Sequence, residues 1–547
     1  MYAPSKRTET CCNPYTSSEY ICLTHANPMK KHLFLLAFTL LSGLKFTNAQ
    51  TYLYQPDSTF NGDGFKDFIY FNNIDRLFGC ALQPDEKLIT AGFSKNPNNG
   101  RFELAVTRYL VNADFDTSFG TANGTIFIPL GQLNAIGGQT PKVQVAPDGK
   151  IVVVASSIGS AGNNDVFVCR LDTTGAPDPT FNTTGTISFD MTGTNTFPDA
   201  ANALDIDANG NVWVAGVTRN GGTPLDNDFA VAKIKSDGTL DPSFDTDGKK
   251  LFNLTSTAEF AKSIKVDATG KIVVGGTAGT NMLVLRMDTT GTLDPTFNTT
   301  GFTTIQFSIN SDMGDMDIDY NNRIVVAGKL ITSNSNLCFA RLTNTGILDN
   351  AFGFLGKYTL NIGNAASVIS SIHIQPDNKI IAGGYTNDSI QRNNFLATRI
   401  TATGSLDLTF NGGGVVQSAI VQGAVDELGN GMAVMNDGRI IITGTITYSS
   451  AVNEDCGMLR WVPVLQVGLD DISEQDIRFR AFPNPFTNTL RINSQESGIA
   501  ELTDIQGKTV KSIPITAGIN EISTDELPAG MYLLRVNGSA GLKLIRE

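Results

Sequence analysis

A short phrase, Asp-x-[Ser/Thr/Ala]-Phe, recurs seven times along this chain at intervals of 53 to 63 residues. The chain has 547 residues, which is too many for one hydrophobic core, so its core must be divided. A repeat at this interval predicts that the core is divided among repeated units. The Asp and Phe residues of the seven copies are Asp57 and Phe60, Asp116 and Phe119, Asp178 and Phe181, Asp241 and Phe244, Asp294 and Phe297, Asp349 and Phe352, and Asp407 and Phe410.

Two further phrases accompany each copy. The second is a Pro-Asp-Gly-Lys-like turn followed by an apolar run, as in APDGKIVVVA (146–155). The third is an apolar run that ends in a basic residue. These basic residues are Arg108, Arg170, Lys233, Arg286, Arg341, Arg399 and Arg460. Three phrases in a fixed order, seven times, indicate a repeat architecture.

The phrases predict strands and tight turns. Asp-Gly or Asn-Gly between β-branched residues favours a hairpin, because a type I′ turn needs positive φ at both central positions. One unit is predicted to contain four strands, for example at 313–320, 323–329, 337–343 and 357–362. The repeat region shows no helical periodicity of useful length.

We therefore predict an all-β fold, a seven-bladed β-propeller over residues 50–463 followed by a small C-terminal β-sandwich. A β-helix is the main alternative, but its rungs would be nearer to roughly 20 to 30 residues. The first unit is preceded by one strand (65–71), and the last unit lacks its fourth strand. We predict that residues 65–71 complete the last blade and close the ring.

The order of the three phrases resembles the delta-60 repeat, a bacterial propeller-type repeat without an assigned general function. The resemblance covers about residues 55–462. It implies the type of repeat and says almost nothing about activity.

The N-terminal region carries a targeting signal. Met29-Lys-Lys-His precedes the apolar run LFLLAFTLLSGL (33–44), and small residues follow it. This pattern predicts a signal peptide at 29–49 that is cleaved between Ala49 and Gln50. A transmembrane anchor is the alternative, but the run is shorter than the ~20 residues that a bilayer requires. Residues 1–28 are an uncertain extension, which we attribute to a start codon assigned too far upstream.

The C-terminal region is a separate module. We place a linker at 464–477 and a strand-rich domain at 478–547, which an ordinary accessory sandwich could also explain. Its motifs resemble the C-terminal sorting domain of the type IX secretion system of Bacteroidetes. The motif residues are Pro483, Asn484, Pro485, Gly507, Lys508, Gly530 and Tyr532. The resemblance implies that the type IX machinery binds this domain and that the protein is secreted or attached to the outer-membrane surface.

The composition of the chain argues against some classes of binding partner. The net charge is −13 and no Lys/Arg cluster is present, which argues against nucleic acid or an anionic membrane as the main partner. Beyond the signal, Cys80, Cys169, Cys338 and Cys456 are far apart, so buried free thiols are favoured over one long-range disulfide. We expect a monomer without a transmembrane segment.

Residues typical of catalytic or metal sites are scarce. His373 is the one histidine of the chain after residue 50, and its column across the repeats holds Ala81, Gln144, Asp205, Lys265, Asp317 and Ala433. We interpret this column as a variable strand position. DIDANG (205–210) resembles the start of a calcium loop, but Gly216 stands where a bidentate Glu is needed. We interpret it, like DTDGK (245–249), as a turn. No cofactor is predicted, and Ca²⁺ stays as the alternative at these turns.

The predicted meander places the two uniform turns of each unit on one face of the ring and the two variable loops on the other. Examples of variable loops are 94–101, 130–141, 156–165, 191–200, 218–228 and 418–430. We expect a specific site on this variable face, with an unidentified glycan or protein as the ligand. A carboxylate-dependent hydrolase or lyase is the alternative, and it requires two or three carboxylates within ~5 to 10 Å of one another there. A structural role in a surface layer is a third possibility.

Overall fold

The computed structural model describes residues 51–546 except for short segments at 72–73, 122, 132–139, 159–161, 195–196, 220–226, 333–334, 363–365, 388–391, 419–423, 449–453, 466–478, 505–507 and 538–541. The elements of this described part are all β-strands. No helix in it is long and apolar enough to cross a membrane.

Five separate sheets contain four consecutive antiparallel strands each. We call these four-stranded groups units 1 to 5. Unit 1 comprises Asp75–Leu82 (β3), Leu88–Lys95 (β4), Phe102–Tyr109 (β5) and Thr125–Pro129 (β6). Unit 2 comprises Lys142–Val145 (β7), Ile151–Ile158 (β8), Asn164–Leu171 (β9) and Thr186–Phe189 (β10). Unit 3 comprises Ala200–Ile206 (β11), Val212–Arg219 (β12), Asn227–Ile234 (β13) and Lys249–Phe252 (β14). Unit 4 comprises Glu259–Val266 (β15), Ile272–Ala278 (β16), Asn281–Met287 (β17) and Phe302–Ile305 (β18). Unit 5 comprises Ser311–Ile318 (β19), Ile324–Leu330 (β20), Leu337–Leu342 (β21) and Lys357–Leu360 (β22).

A nine-stranded sheet contains two further groups, which we call units 6 and 7. Unit 6 comprises Ser367–Ile374 (β23), Ile380–Asn387 (β24), Asn393–Ile400 (β25) and Val415–Ser418 (β26). Unit 7 comprises Ala424–Val434 (β27), Ile440–Tyr448 (β28) and Glu454–Leu465 (β29), together with the N-terminal strands Tyr52–Pro56 (β1) and Phe65–Phe68 (β2).

The N-terminal strands complete unit 7. β2 pairs antiparallel with β29, with Phe65 opposite Leu459 and Phe68 opposite Cys456. β1 continues the pairing from Pro56 opposite Trp461 onward. The predicted closing strand is therefore confirmed, although it ends at Phe68 rather than at Phe71.

The first strand of each unit contacts the first strand of the next, and β27 of unit 7 contacts β3 of unit 1. The hydrophobic clusters lie between neighbouring units; one, for example, joins Ile89 and Phe93 of unit 1 to Val153 of unit 2. A closed circle of four-stranded sheets that pack face to face is a β-propeller. Its first strands surround a central channel.

The first strands carry a bulge at a shared position. In unit 6 the pairing shifts between Ile369 and Ser371, opposite Gly384. A Cβ at Gly384 would lie 2.0 Å from the carbonyl oxygen of Val368, so only glycine allows this approach. The glycines at the six equivalent places are Gly92, Gly216, Gly276, Gly328, Gly384 and Gly444.

Unit 2 departs from this pattern. It has Ala155 where the other units have glycine, and the pairing of β7 with β8 stops at Lys142 opposite Val154. Two residues fit the shorter first strand: the Cβ of Ala155 occupies the space that a bulged strand needs, and Pro141 has no backbone N–H to donate to the ladder.

The C-terminal region is a small sandwich of two sheets. The first contains Phe479–Phe482 (β30), Thr489–Ser494 (β31) and Gly518–Ser523 (β34). The second contains Gly498–Asp504 (β32), Thr509–Ile515 (β33), Gly530–Val536 (β35) and Leu542–Arg546 (β36). Alternate residues of both sheets, such as Leu490, Leu502 and Leu534, form one apolar core.

Candidate functional site

The basic residue and the Asp of each repeat form a buried ion pair. In unit 2, Arg170 Nε donates to Asp178 Oδ2 over 2.8 Å, and both side chains are less than 10% exposed. The guanidinium also lies 4.7 Å from the ring centre of Phe181. Equivalent ion pairs occur at Arg108–Asp116, Lys233–Asp241, Arg286–Asp294, Arg341–Asp349, Arg399–Asp407 and Arg460–Asp57. Equivalent cation–ring contacts lie over Phe119, Phe297, Phe352, Phe410 and Phe60.

Five of the arginines also join neighbouring units. Arg170 Nη1, for example, donates to the carbonyl oxygen of Ser236 in the next unit. Arg108, Arg286, Arg341 and Arg460 make the equivalent bond. The repeated Asp has a structural function as well, because Asp178 Oδ1 accepts from the backbone and hydroxyl of Thr180. All groups of this motif have partners inside the fold, so the motif explains packing and leaves nothing to bind a ligand.

Unit 3 carries a compensated variant of the motif. Lys233 replaces arginine and lies 5.2 Å from the ring centre of Trp213, a residue on the neighbouring strand β12. Trp213 in turn packs edge-on against Phe244. The lysine thus keeps the ion pair of the motif and a cation–ring contact, with Trp213 in place of the repeated phenylalanine.

The column of His373 lies on the wall of the channel. Residues of all seven first strands surround a cavity of about 320 Å³, and Gln144, Lys265, Asp317 and His373 are among them. The interpretation of this column as one variable strand position is correct for a single unit. It missed that equivalent positions of successive units converge on one axis.

Carboxylates in the channel also connect the first strands. Asp315 Oδ2 accepts from the backbone N–H of Ile372 over 3.0 Å, and Asp317 Oδ2 accepts from Ile374 over 3.1 Å. Asp205 Oδ2 accepts from Val266 over 2.7 Å. The first strands of these neighbouring units share no backbone hydrogen-bond ladder, and the side-chain bonds connect them instead.

Lys265, Asp317 and His373 form the charged centre of the channel. Lys265 Nζ lies 3.7 Å from Asp317 Oδ1. Burial lowers the pKa of Lys265, but the carboxylates of Asp317, Asp315 and Asp205 outweigh it and raise the pKa above its usual range. Loss of solvent around His373 lowers its pKa, which keeps the imidazole neutral near pH 7 although Asp317 opposes this effect.

The mouth of the channel on the variable face is lined by lysines. A second cavity, of about 470 Å³, opens there and is lined by Lys142, Lys262 and Lys329. None of these lysines has an ion-pair partner in the described part of the chain. Phe260 is 37% exposed beside them.

Asp312 is the acidic residue of this lining, and one of its oxygens accepts from Thr277 Oγ1 over 2.9 Å. The mouth is thus locally basic in a chain of net charge −13. A comparison of the first strands, unit by unit, would have shown Lys142 in β7 and Lys262 in β15, whereas Lys329 lies near the end of the second strand β20.

The variable face also holds a cluster of three carboxylates. Asp165, Asp190 and Asp199 each place one oxygen within 4.8 Å of the others. Their separation meets the requirement that we set for a hydrolase or lyase. All three are buried, and Asp199 is only 1% exposed. A polymer substrate has no access to them, so the cluster does not support that activity.

The two calcium-like phrases are turns. Asp205 accepts from Gln144 and Val266, and Asp207 Oδ1 accepts from the backbone of Asn209 and Asn211. Asp245 pairs with Lys250 and Asp247 with Lys249. Their oxygens serve these local contacts and do not converge on one point.

The described cysteines are free thiols; Cys169, Cys338 and Cys456 are buried and Cys80 is partly exposed in the channel. Ala49, Gln50, the segments 1–28 and 29–49, the linker from 466 onward and Gly507 lie outside the described residues. Variable loops 130–141, 156–165, 191–200, 218–228 and 418–430 are described only in part.

The described residues of the C-terminal motif hold the edges of the sandwich together. Asn484 Oδ1 accepts from Ile545 of the last strand over 2.8 Å, in the turn that includes Pro483 and Pro485. Lys508 donates its N–H to Asp504 Oδ1. Tyr532 is buried and donates to the carbonyl oxygen of Pro528, while Gly530 begins β35.

The fold defines a class of protein, a β-propeller followed by a small β-sandwich, and comparisons with protein families match both parts. Residues 480–546 match the secretion system C-terminal sorting domain. Residues 146–181, 208–244, 268–297 and 375–410 match a family described as domain of unknown function (DUF5122) beta-propeller. The chain therefore carries a DUF5122 β-propeller and a type IX sorting domain, which indicates export to the cell surface or beyond. No curated protein matches the sequence.

Solved structures give distant likenesses. A virginiamycin B lyase from Staphylococcus aureus has 11% identity and a TM-score of 0.41, with 72% of this chain and 98% of that chain covered. A polysaccharide lyase described as an ulvan lyase has 11% identity and a TM-score of 0.38, with 74% and 98% covered. At these scores the likenesses do not indicate an activity for this chain.

Proposed function

We propose that this protein is a binding protein of the cell surface or the surrounding medium, and that it captures an anionic polymer, such as an acidic glycan, at the channel mouth. The observation that carries the proposal is the group of three lysines without ion-pair partners, Lys142, Lys262 and Lys329, in an otherwise acidic chain. Such cations attract carboxylate or sulfate groups, and the exposed ring of Phe260 offers a face for a sugar.

A binding assay on immobilised acidic and neutral polysaccharides tests this proposal. We expect binding to the acidic polymers, weakened by salt because the attraction between the lysines and the polymer is electrostatic. The double substitution Lys142→Gln and Lys262→Gln should reduce this binding strongly. Lys235→Gln is the matched control, since Lys235 is exposed on the uniform face and pairs with Asp237. Equal binding by the double variant and the control would contradict the proposal.

The same polymers should be incubated with the protein and checked for shortened products. Turnover would favour the alternative of a hydrolase or lyase that uses the channel groups Asp315, Asp317 and His373. If neither binding nor turnover occurs on any polymer, a structural role in a surface layer is the better interpretation.

Export is tested separately. We propose a signal peptide at 29–49 with cleavage after Ala49, followed by recognition of residues 478–547 by the type IX machinery. Deletion of 478–547 should leave the propeller in the periplasm, which fractionation of the producing cells would detect. The same amount of protein in the medium with and without the domain would contradict this route.

A further inference from the structure

The three carboxylates on the variable face belong to separate segments. Asp165 lies near the start of β9, Asp190 follows β10, and Asp199 precedes β11. The cluster therefore joins strand β9 of unit 2 to both ends of the connection between β10 and β11, which leads into unit 3. A group that neutralised it would hold these segments together.

Two of the carboxylate oxygens in the cluster lack partners. Asp165 Oδ1 and Asp199 Oδ1 are buried and have no hydrogen bond of normal length and angle, although the hydroxyl of Thr218 interacts with the carboxylate of Asp199. Their residues are 6% and 1% exposed. Neither Asp165 nor Asp199 forms an ion pair with a described basic side chain. The ammonium of Lys249 contacts the carbonyl oxygen of Asp190 and the carboxylate of Asp247 instead. Buried carboxylate oxygens without a donor are costly unless a cation or a proton satisfies them.

The equivalent junction between units 7 and 1 gives a contrast. Asp75 occupies the place of Asp199, and Asp455 the place of Asp165. Both oxygens of Asp75 are satisfied there, by Ser94 Oγ and by the backbone N–H of Tyr70. Among the described residues, a third carboxylate completes such a group only at the junction of units 2 and 3. At the junction of units 3 and 4, Glu259 occupies the place of Asp199, and its Oε2 is also buried without a hydrogen bond. The third carboxylate is therefore the feature that distinguishes the junction of units 2 and 3.

We propose that Asp165, Asp190 and Asp199 bind Ca²⁺ and that the ion fastens the loops between units 2 and 3. Oxygens bound to one Ca²⁺ at about 2.4 Å lie no more than about 5 Å apart, which the separation within 4.8 Å satisfies without rearrangement. Three carboxylates are hard oxygen ligands, and main-chain carbonyls or water complete the coordination of such an ion. The ion would act on the variable face and not in the channel, so this site is independent of the proposed ligand.

Electrostatics support the same site. Three buried carboxylates with oxygens within 4.8 Å of one another repel each other when they are ionised. Without a cation the cluster therefore weakens the fold near neutral pH, because a buried like-charge group must take up a proton or repel its neighbours.

Calcium binding to the purified full chain, stripped of metal with EDTA, tests the proposal by equilibrium dialysis and by thermal unfolding. We expect one saturable Ca²⁺ per chain and a higher Tm in Ca²⁺ than in EDTA. The variant with Asp165→Asn and Asp199→Asn should lose the saturable ion. In EDTA it should be at least as stable as the parent, because the like-charge repulsion is gone.

Two control variants test whether the loss of Ca²⁺ is specific to the cluster. Asp148→Asn removes an exposed carboxylate in unit 2 and should leave Ca²⁺ binding unchanged. Asp455→Asn removes the equivalent residue at the junction of units 7 and 1 and should also leave it unchanged. If the double variant folds poorly, Asp199→Ser replaces it, since units 5 and 6 have Ser311 and Ser367 at that position. No saturable Ca²⁺ in the parent, equal binding by the cluster variants, or binding of Mg²⁺ or Zn²⁺ in preference to Ca²⁺ would overturn the proposal.

Discussion

At the scale of single residues, the chain uses one contact repeatedly and varies it once. The arginine of each repeat binds an aspartate, covers a phenylalanine ring and, in most units, reaches the next unit. Lysine can replace the charge but not the planar, multiple donors of arginine. Lys233 keeps the ion pair with Asp241 and lies over the ring of Trp213.

Arg341→Lys should lower the free energy of unfolding. Arg341 is almost fully buried, and its Nη1 donates to the carbonyl oxygen of Ala402 in unit 6. Loss of that bond and of the ring contact should cost about 1 to 3 kcal/mol. Chemical denaturation measures it, with Arg219→Lys at an exposed position as the control. Equal effects of the two substitutions would show that the guanidinium geometry is unimportant.

Asp455→Asn should change how stability depends on pH. Burial and the nearby Asp75 and Asp67 raise the pKa of Asp455 to about 6, above its value of about 4 in an unfolded chain. The folded state thus binds the proton more tightly, and the parent loses stability as the pH rises from about 4 to about 6.

The asparagine variant should lack this loss. Relative to the parent it should gain stability at pH 7 compared with pH 4, by about 1 kcal/mol after allowance for solvent screening of a partly exposed group. Thermal unfolding at a series of pH values measures it. A difference between the two proteins that is constant with pH would contradict the assignment.

At the scale of strands and turns, the channel depends on a bulge and a glycine in each first hairpin. The bulge changes the direction of the side chains that line the channel, and the opposite glycine makes room for it. Unit 2 has Ala155 and a shorter first strand, so the unit without this glycine also lacks the bulged pairing.

Gly384→Ala should therefore destabilise unit 6. The added Cβ would lie 2.0 Å from a backbone oxygen, which cannot move without a shift of β23. The expected cost is about 1 to 3 kcal/mol, typical of overpacking. Gly413→Ala is the control, because a Cβ there would meet nothing within 4 Å. Thermal unfolding of both variants measures the effect. If Gly384→Ala does not lower the Tm, the bulge can relax into the form seen in unit 2.

At the scale of the whole molecule, the ring is closed by residues from opposite ends of the repeat region. Arg460 binds Asp57 over 2.8 Å and covers Phe60, and β1 and β2 both pair with β29. Arg460 also donates to the carbonyl oxygen of Val111 in unit 1, so the same side chain joins units 7 and 1. Because each unit is supported by its neighbours, an open ring exposes two unpartnered sheet faces.

Removal of residues 50–72 should lower the Tm of the whole propeller sharply. The deletion takes away the closing strands as well as Asp57 and the buried ring of Phe60. Asp294→Asn is the control, since it weakens the same ion pair inside unit 4 without opening the ring. Calorimetry should show a much larger change for the deletion. A negligible change would mean that the ring does not depend on this closure.

The sequence by itself was sufficient for the local structure. Turn residues, β-branched runs and the order of the phrases predicted four strands per unit, and the bounds given for unit 5 agree with the structure to within a few residues. The closing strand and the sorting domain also followed from sequence patterns. These features depend on interactions between residues that are close along the chain, or on motifs that are read directly.

Only the tertiary structure decided where the chemistry lies. His373, Lys265 and Asp317 come from different units and meet because their strands surround one axis. Asp165, Asp190 and Asp199 meet because three segments converge at the junction of units 2 and 3. Periodicity predicts that a residue lies on a strand, but its neighbours across the ring depend on how the sheets pack. That packing is a property of the closed ring as a whole, which no single repeat contains.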